Sequence, residues 1–235
     1  LMVNQLVSDW KLSRITRLNI GATYNRVKGL EPDRRENYFT HVEGARHNLT
    51  RSNRNKRFFS DLNNNDFNAK AALSIKLNDR FDTENSFVQV GYVGRFVIDK
   101  FKAVEYNYSP LGMSDFTMEN LSLDKLYEDN INQGLLTMDM GETNSYKVLK
   151  FIHSGFAEVS YRLAEKLAGN AGLRVDIVDL TVNHNVTHAA PGSESIKKTY
   201  FLPSLNLKYD INDKNSLRLG IGKTYTLPQS KEISP

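Results

Sequence analysis

Hydrophobic and polar residues alternate along this chain with a period of two. From Thr16 to Tyr24 the even positions read Thr16, Leu18, Ile20, Ala22 and Tyr24, and the odd ones Arg17, Asn19, Gly21 and Thr23. Successive side chains of a strand point to opposite faces, so this is the signature of a half-buried strand. The pattern returns with Phe67, Ala69, Ala71, Leu73, Ile75 and Leu77 set against Asn68, Lys70, Ala72, Ser74 and Lys76. It recurs over 88–96, 154–163, 171–177, 201–209 and 217–222. After Ile177 the apolar phase slips to Val178, Leu180 and Val182, which predicts a β-bulge. With a partial strand at Leu6–Trp10, about eight strands are expected.

The connections alternate too. Short polar turns fall at 11–13, 78–85, 165–170 and 211–215, and long segments at 28–65, 102–150 and 184–197. Strict alternation predicts an antiparallel up-and-down meander with every long loop at one end. Loops beyond about 15 residues are uncommon in compact domains and are usually functional. Short turns on one side and long loops on the other are the asymmetry of a transmembrane β-barrel. The apolar stretches of about 9–11 residues match a tilted crossing of a bilayer. Aromatic residues sit at strand ends: Tyr24, Phe67, Phe96, Phe201 and Tyr225 on the long-loop side, Trp10, Tyr161 and Tyr209 on the other. That placement suits two interfacial girdles. The expected fold is therefore all-β, an antiparallel up-and-down meander of about eight strands with the layout of a transmembrane β-barrel. Alternation alone also suits a second reading, a soluble secreted or periplasmic β-rich binding module.

Composition narrows the functions. The 235 residues contain no cysteine, which excludes disulfides, thiolate metal sites and a thiol nucleophile. The net charge of +4 is too small for a concentrated nucleic-acid footprint, and no nucleic-acid partner is expected. No apolar run reaches the length of a transmembrane helix, and no signal peptide is visible at Leu1–Gln5.

The last third carries a resemblance. Ala157-Glu158-Val159-Ser160-Tyr161 precedes Gly172-Leu173-Arg174-Val175-Asp176. Then come Leu202-Pro203-Ser204-Leu205-Asn206-Leu207-Lys208-Tyr209, Leu217-Arg218-Leu219-Gly220-Ile221-Gly222-Lys223-Thr224-Tyr225-Thr226-Leu227-Pro228 and Glu232-Ile233-Ser234-Pro235. This order resembles the middle-to-late barrel of TonB-dependent outer-membrane receptors. The family often has Arg-Pro where this chain has Leu227-Pro228, so no role for that arginine is carried over. Residues 1–154 fit by architecture rather than by motif. The resemblance implies one partial barrel domain over 1–235, without the family's plug, TonB-contacting segment or C-terminal aromatic strand. It implies a place in the bacterial outer membrane and import of a scarce solute of the siderophore, haem, cobalamin, glycan or peptide class. The implied partners are outer-membrane lipid, the plug of the full-length receptor, TonB through that receptor, and the extracellular solute. No enzyme activity and no cofactor are expected.

No carboxylates are paired as acid and base, and no catalytic or metal site is expected. Arg17, Glu158, Arg174, Asp176, Lys208 and Arg218 lie on polar faces and are candidates to line a lumen. The bland alternative is a solvated cross-strand ion-pair ladder. Arg46, Arg51, Arg54, Lys56 and Arg57 form a basic run without an acid, ahead of Phe58 and Phe59. They are candidates to touch an anionic headgroup or ligand from an outer loop. Residues 115–142 hold seven acids and a single lysine, and simple attraction between these two loops is the cheapest reading. A short helix is expected over Ser122–Asn130, capped by Ser122. His184 and His188 are i, i+4, but no helix is expected there, so both read as solvated loop histidines.

Overall fold

The computed structural model of the chain describes residues 1–42, 45–48, 55–78, 86–111, 116–118 and 122–229. Eight strands form one antiparallel sheet in which each strand pairs with its neighbour in chain order. They are β1 (Met2–Lys11), β2 (Thr16–Glu36), β5 (Lys56–Lys76), β6 (Phe87–Pro110), β8 (Leu136–Ala164), β9 (Leu167–Val186), β10 (Ala189–Asn212) and β11 (Asn215–Gly222). Between β2 and β6 in the chain lie β3 (Phe39–Val42) and β4 (Ala45–Asn48), which join β7 (Phe116–Met118) in a separate three-stranded sheet. The helix α1 (Leu123–Asn132) precedes β8. Ser122 caps it by accepting from the Lys125 backbone N–H, as expected from the sequence.

The register sorts the residues onto two faces. Leu18 of β2 stands opposite Trp10 of β1 and Leu73 of β5, and Leu73 stands opposite Val90 of β6. Val90 meets Ala157 of β8, which meets Leu173 of β9. The row above contains Ile20, Ala71, Tyr92, Gly155, Val175 and Phe201. One face is therefore a continuous apolar belt, and it is largely uncovered: Val90, Leu173, Leu219 and Ile221 are all exposed. The other face carries Arg17, Lys70, Lys76, Glu158, Arg174, Asp176, Lys208 and Arg218, because each lies an odd number of residues from a belt position on its own strand.

Three expectations change. The strands run 20–29 residues in β2, β5, β6, β8, β9 and β10, well beyond a bilayer crossing. Much of the expected loops 28–65 and 102–150 is thus strand, and 184–197 is a hairpin turned at Thr187–His188. No bulge lies at Ile177, where β9 stays in register with both neighbours. Instead the apolar set changes face. Below that point Leu173, Val175 and Ile177 belong to the exposed belt; above it Val178, Leu180 and Val182 are buried on the opposite face. Their former partners on the belt side become Asp179, Thr181 and Asn183. The belt ends there because the strand leaves the apolar layer, and its outward side then has to face water.

Four rings mark that boundary. Tyr24, Phe67, Phe96 and Phe151 occupy one register row on the belt face. Their centroids follow one another at 4.5, 6.2 and 4.3 Å. Phe201 lies on the same face further along. Tyr225 does not join them, because it turns to the opposite face. Trp10 and Tyr209 stand exposed at the short-turn end of the belt, where Tyr161 also lies.

Candidate functional site on the charged wall

The charged face is organised around Asp176. In β9 it lies directly between Ser154 of β8 and Tyr200 of β10. Arg174 is two residues away and so projects from the same face. Its Nε donates to Asp176 Oδ1 at 2.6 Å and its Nη2 donates to Ser154 Oγ at 3.0 Å. The hydroxyl of Tyr225 donates to Asp176 Oδ2 at 2.9 Å. Asp176 is 1% exposed, and these donors offset the loss of hydration that an isolated buried carboxylate would suffer.

Tyr225 reaches the wall because the chain leaves the sheet at Gly222. The Lys223 N–H still donates to the Pro203 carbonyl at 3.0 Å, after which residues 223–229 cross the charged face. Tyr225 stacks on Tyr200 with centroids 3.9 Å apart. Leu227 packs on a cluster of Tyr146, Val148, Ile152, Val178, Leu180 and Val182. From the sequence, Val178, Leu180 and Val182 of this cluster are expected as the shifted part of a strand, and Tyr146 and Val148 fall in the expected long loop 102–150. His184 is buried there at 8% exposure rather than solvated, and it lies opposite Tyr146 and Gly192. Gly192 leaves room for it: a Cβ there would lie 2.8 Å from the His184 ring. His188 is in the turn, exposed, with Nε2 3.5 Å from Glu142.

A cleft of about 430 Å³ opens beside Asp176, lined by Asn68, Arg95, Ser154, Arg174 and Tyr225 among others. Arg95 is held by Asp66 at 2.7 Å. Neither Asp66, Arg95 nor Tyr225 was singled out from the sequence as a wall residue. Alternation already puts Arg95 and Asp66 on the polar side of their strands; register adds that Arg95 stands opposite Asn68 and Ile152. With Arg174 half exposed, the cleft offers fixed guanidinium donors to a polar solute. Among the described residues no three His, Cys, Asp or Glu side chains converge as metal ligands.

The remaining candidates are spread down the wall. Arg17 lines a second cleft of about 540 Å³ at the short-turn end with Asp9, Arg14, Lys70, Lys76 and Gln89. Glu158 stands opposite Gln89 and Gly172. Lys208 pairs with Asp210 of its own strand at 2.7 Å and lies opposite Arg218. Arg174–Asp176 and Lys208–Asp210 run along one strand, whereas Arg95–Asp66 bridges β6 and β5, so the wall combines in-strand and cross-strand ion pairs.

The basic run behaves differently from its sequence reading. Arg51 and Arg54 lie outside the described residues, as does the Arg46 side chain. Lys56 bonds Glu105 at 2.9 Å, which holds its ammonium above the usual lysine range against the opposing effect of burial. Arg57 donates to both oxygens of Asp33 at 2.9 Å. That bond, with a second from Arg35, pulls the Asp33 carboxyl down to about 2. Arg35 also pairs with Asp124 of α1. The acidic segment is thus held by Arg35, whereas Lys56 and Arg57 face acids of β6 and β2.

Against known proteins, the family model described as TonB dependent receptor-like, beta-barrel matches residues 4–235. The chain belongs to the TonB-dependent receptor β-barrel family, whose members are receptors and transporters of the bacterial outer membrane. The soluble-module reading falls with that assignment. The structure is similar to the ferric citrate transporter FecA in its unliganded form, with TM-score 0.52 and 13% identity. That likeness covers 90% of this chain and 25% of FecA. The siderophore receptor PiuA from Acinetobacter baumannii also matches, with TM-score 0.43 and 11% identity over 90% of this chain and 30% of that one. The chain therefore spans about a quarter of the length of the structures it resembles. No curated protein matches it.

Proposed function

We propose that this chain is a section of the barrel wall of a receptor that binds a scarce solute outside the cell and imports it across the outer membrane. The observation that carries the reading is the separation of faces: a continuous uncovered apolar belt on one side, and the Asp176–Arg174–Arg95 wall on the other. Only a sheet closed on itself satisfies all backbone groups in hydrocarbon. Further strands of the full-length receptor therefore pair with the edges at β1 and β11, giving a barrel of the large plugged class. The belt faces lipid, and the charged wall faces the plug and the solute path. TonB acts on the full-length receptor from the inner side.

Uptake by cells carrying the full-length receptor tests this. A panel of labelled ferric siderophores, haem, cobalamin, oligosaccharides and peptides is offered with and without an inner-membrane proton gradient. Accumulation of one of them that stops when the gradient collapses supports the reading. Leakage of small solutes that ignores the gradient would show an open pore instead.

A further inference from the structure

Above the aromatic row, one register row of the outward face carries three lysines and no acid. Lys28 of β2 stands opposite Asn63, Asn63 opposite Lys100, Lys100 opposite Lys147, and Lys147 opposite Asn183. All three lysines are exposed and lie four residues beyond Tyr24, Phe96 and Phe151 on their own strands. Four residues is about 13 Å of strand, and tilt reduces the rise above the rings to about 10 Å. Among the described residues the lysines in ion pairs are Lys56, Lys125, Lys197 and Lys208, and none of the three is among them.

Like charges placed directly opposite one another in a sheet repel. Lys100 and Lys147 are such a pair, about 5 Å apart in the hydrogen-bonding direction. Lys102 adds a further exposed cation one step higher on the same face, opposite Asp61. Next to the membrane Arg26 lies between Tyr24 and Lys28, with its Nε buried and without a partner. A row of unneutralised cations just above an aromatic girdle sits where anionic headgroups concentrate.

We propose that Lys28, Lys100 and Lys147, with Arg26 beneath them, form an outward docking surface for the phosphate groups of outer-leaflet lipid. This rests on the reading of the belt as lipid-facing. It places the headgroup contact on the outer flank of β2, β6 and β8 rather than on the 46–57 run. A phosphate between Lys100 and Lys147 removes the repulsion that their register imposes. The asparagines at 63 and 183 add amide donors in the same row.

The test uses the full-length receptor refolded into phosphatidylcholine vesicles, and into vesicles of phosphatidylcholine with one-fifth phosphatidylglycerol. Insertion is read by gel shift, and lipid preference by quenching from brominated phosphatidylglycerol. Three forms are compared: the natural receptor, the Lys28→Gln, Lys100→Gln, Lys147→Gln variant, and a Lys11→Gln, Lys70→Gln, Lys76→Gln variant on the opposite face. The proposal expects the natural form to recruit the anionic lipid and the outward variant to lose roughly fivefold per lysine removed. It expects the opposite-face variant, with the same net charge change, to keep the preference. Equal loss in both variants, or none in the outward one, overturns the proposal while leaving insertion intact. Failure of every form to insert into either vesicle overturns the membrane reading itself.

Discussion

The phenol of Tyr225 donates to Asp176 Oδ2 at 2.9 Å, tying the segment that follows β11 to the middle of β9 across the charged wall. The same ring stacks on Tyr200. One side chain thus closes a buried carboxylate and anchors residues 223–229. A stacked aromatic pair contributes about 0.5–1.5 kcal/mol beyond its buried area.

The two contributions are separable. Tyr225→Phe keeps the ring but leaves one Asp176 oxygen without that donor, and should cost about 1–2 kcal/mol of local stability. Tyr225→Ala should cost more. Trypsin cleavage after the exposed Lys223 in the full-length receptor reads the effect, and the expected order is Ala fastest, Phe next, natural slowest. Equal rates would mean that the segment is not held through Tyr225.

The outer end has a pH-sensitive link. Asp33 is bonded by Arg57 and Arg35, and Arg35 by Asp124 of α1. The two guanidinium groups, Arg57 foremost, hold the Asp33 carboxyl down at about 2, below the usual aspartate range. A depressed carboxylate stabilises the folded form above its unfolded value, and that contribution disappears as pH falls towards the folded one. Hydrogen exchange in residues 123–132, taken relative to the intrinsic amide rate at each pH, should therefore accelerate between about pH 4 and pH 2. Asp33→Asn should accelerate it already at neutral pH. A helix whose exchange ignores both changes would show that the Asp33 link does not hold it.

Gly91 sits on the charged face between Ala72 and Phe156. A Cβ there would lie 2.4 Å from Phe156 Cζ and 2.8 Å from the Ala71 carbonyl oxygen. The ring has some freedom to swing, but the backbone oxygen does not. Gly91→Ala should destabilise by about 1–3 kcal/mol, read as a lower urea midpoint of the full-length receptor. Phe156→Ala in the same background should recover only part of it.

The meander, the strand count, α1 with its Ser122 cap and the assignment of charges to one face were all legible in the sequence. Each depends on local alternation or local capping. The position of the membrane boundary was legible only in disguise. The slip after Ile177 is real, but a sequence cannot distinguish a bulge from a change in which face meets water. Register decides, because Asp179 and Val178 keep their places opposite Lys197 and Lys198. The wall around Asp176 was half legible. Arg174 and Asp176 share a strand, whereas Tyr225 lies 49 residues away and arrives only because the chain leaves the sheet at Gly222. Phe151 was missed from the girdle because the apolar alternation of β8 starts to be clear only at Ser154.

Adjacent positions on β6 should respond oppositely to charge. Val90 is exposed on the belt, and Gln89 bonds Ser74 at 2.6 Å on the charged wall. Val90→Arg places a cation in hydrocarbon at about 2–4 kcal/mol, whereas Gln89→Arg remains in the polar wall. Folding yield of the full-length receptor into phosphatidylcholine vesicles should fall for the first and stay near natural for the second. Equal yields would argue that Val90 does not face lipid.

A nitroxide scan of β5 in the full-length receptor, reconstituted in lipid, tests the central claim most directly. This segment has no cysteine of its own, so single cysteines from residue 67 to 76 can be labelled one at a time. Relaxation by oxygen, which concentrates in lipid, and by a water-soluble nickel complex is measured at each site. Oxygen accessibility should peak at positions 67, 69, 71, 73 and 75. Nickel accessibility should peak in the opposite phase at 68, 70, 74 and 76, and Ala72, 1% exposed, should be low for both. Two curves that rise and fall together, or a β5 in which neither shows a period of two, would contradict a sheet with lipid on one face and a wet wall on the other.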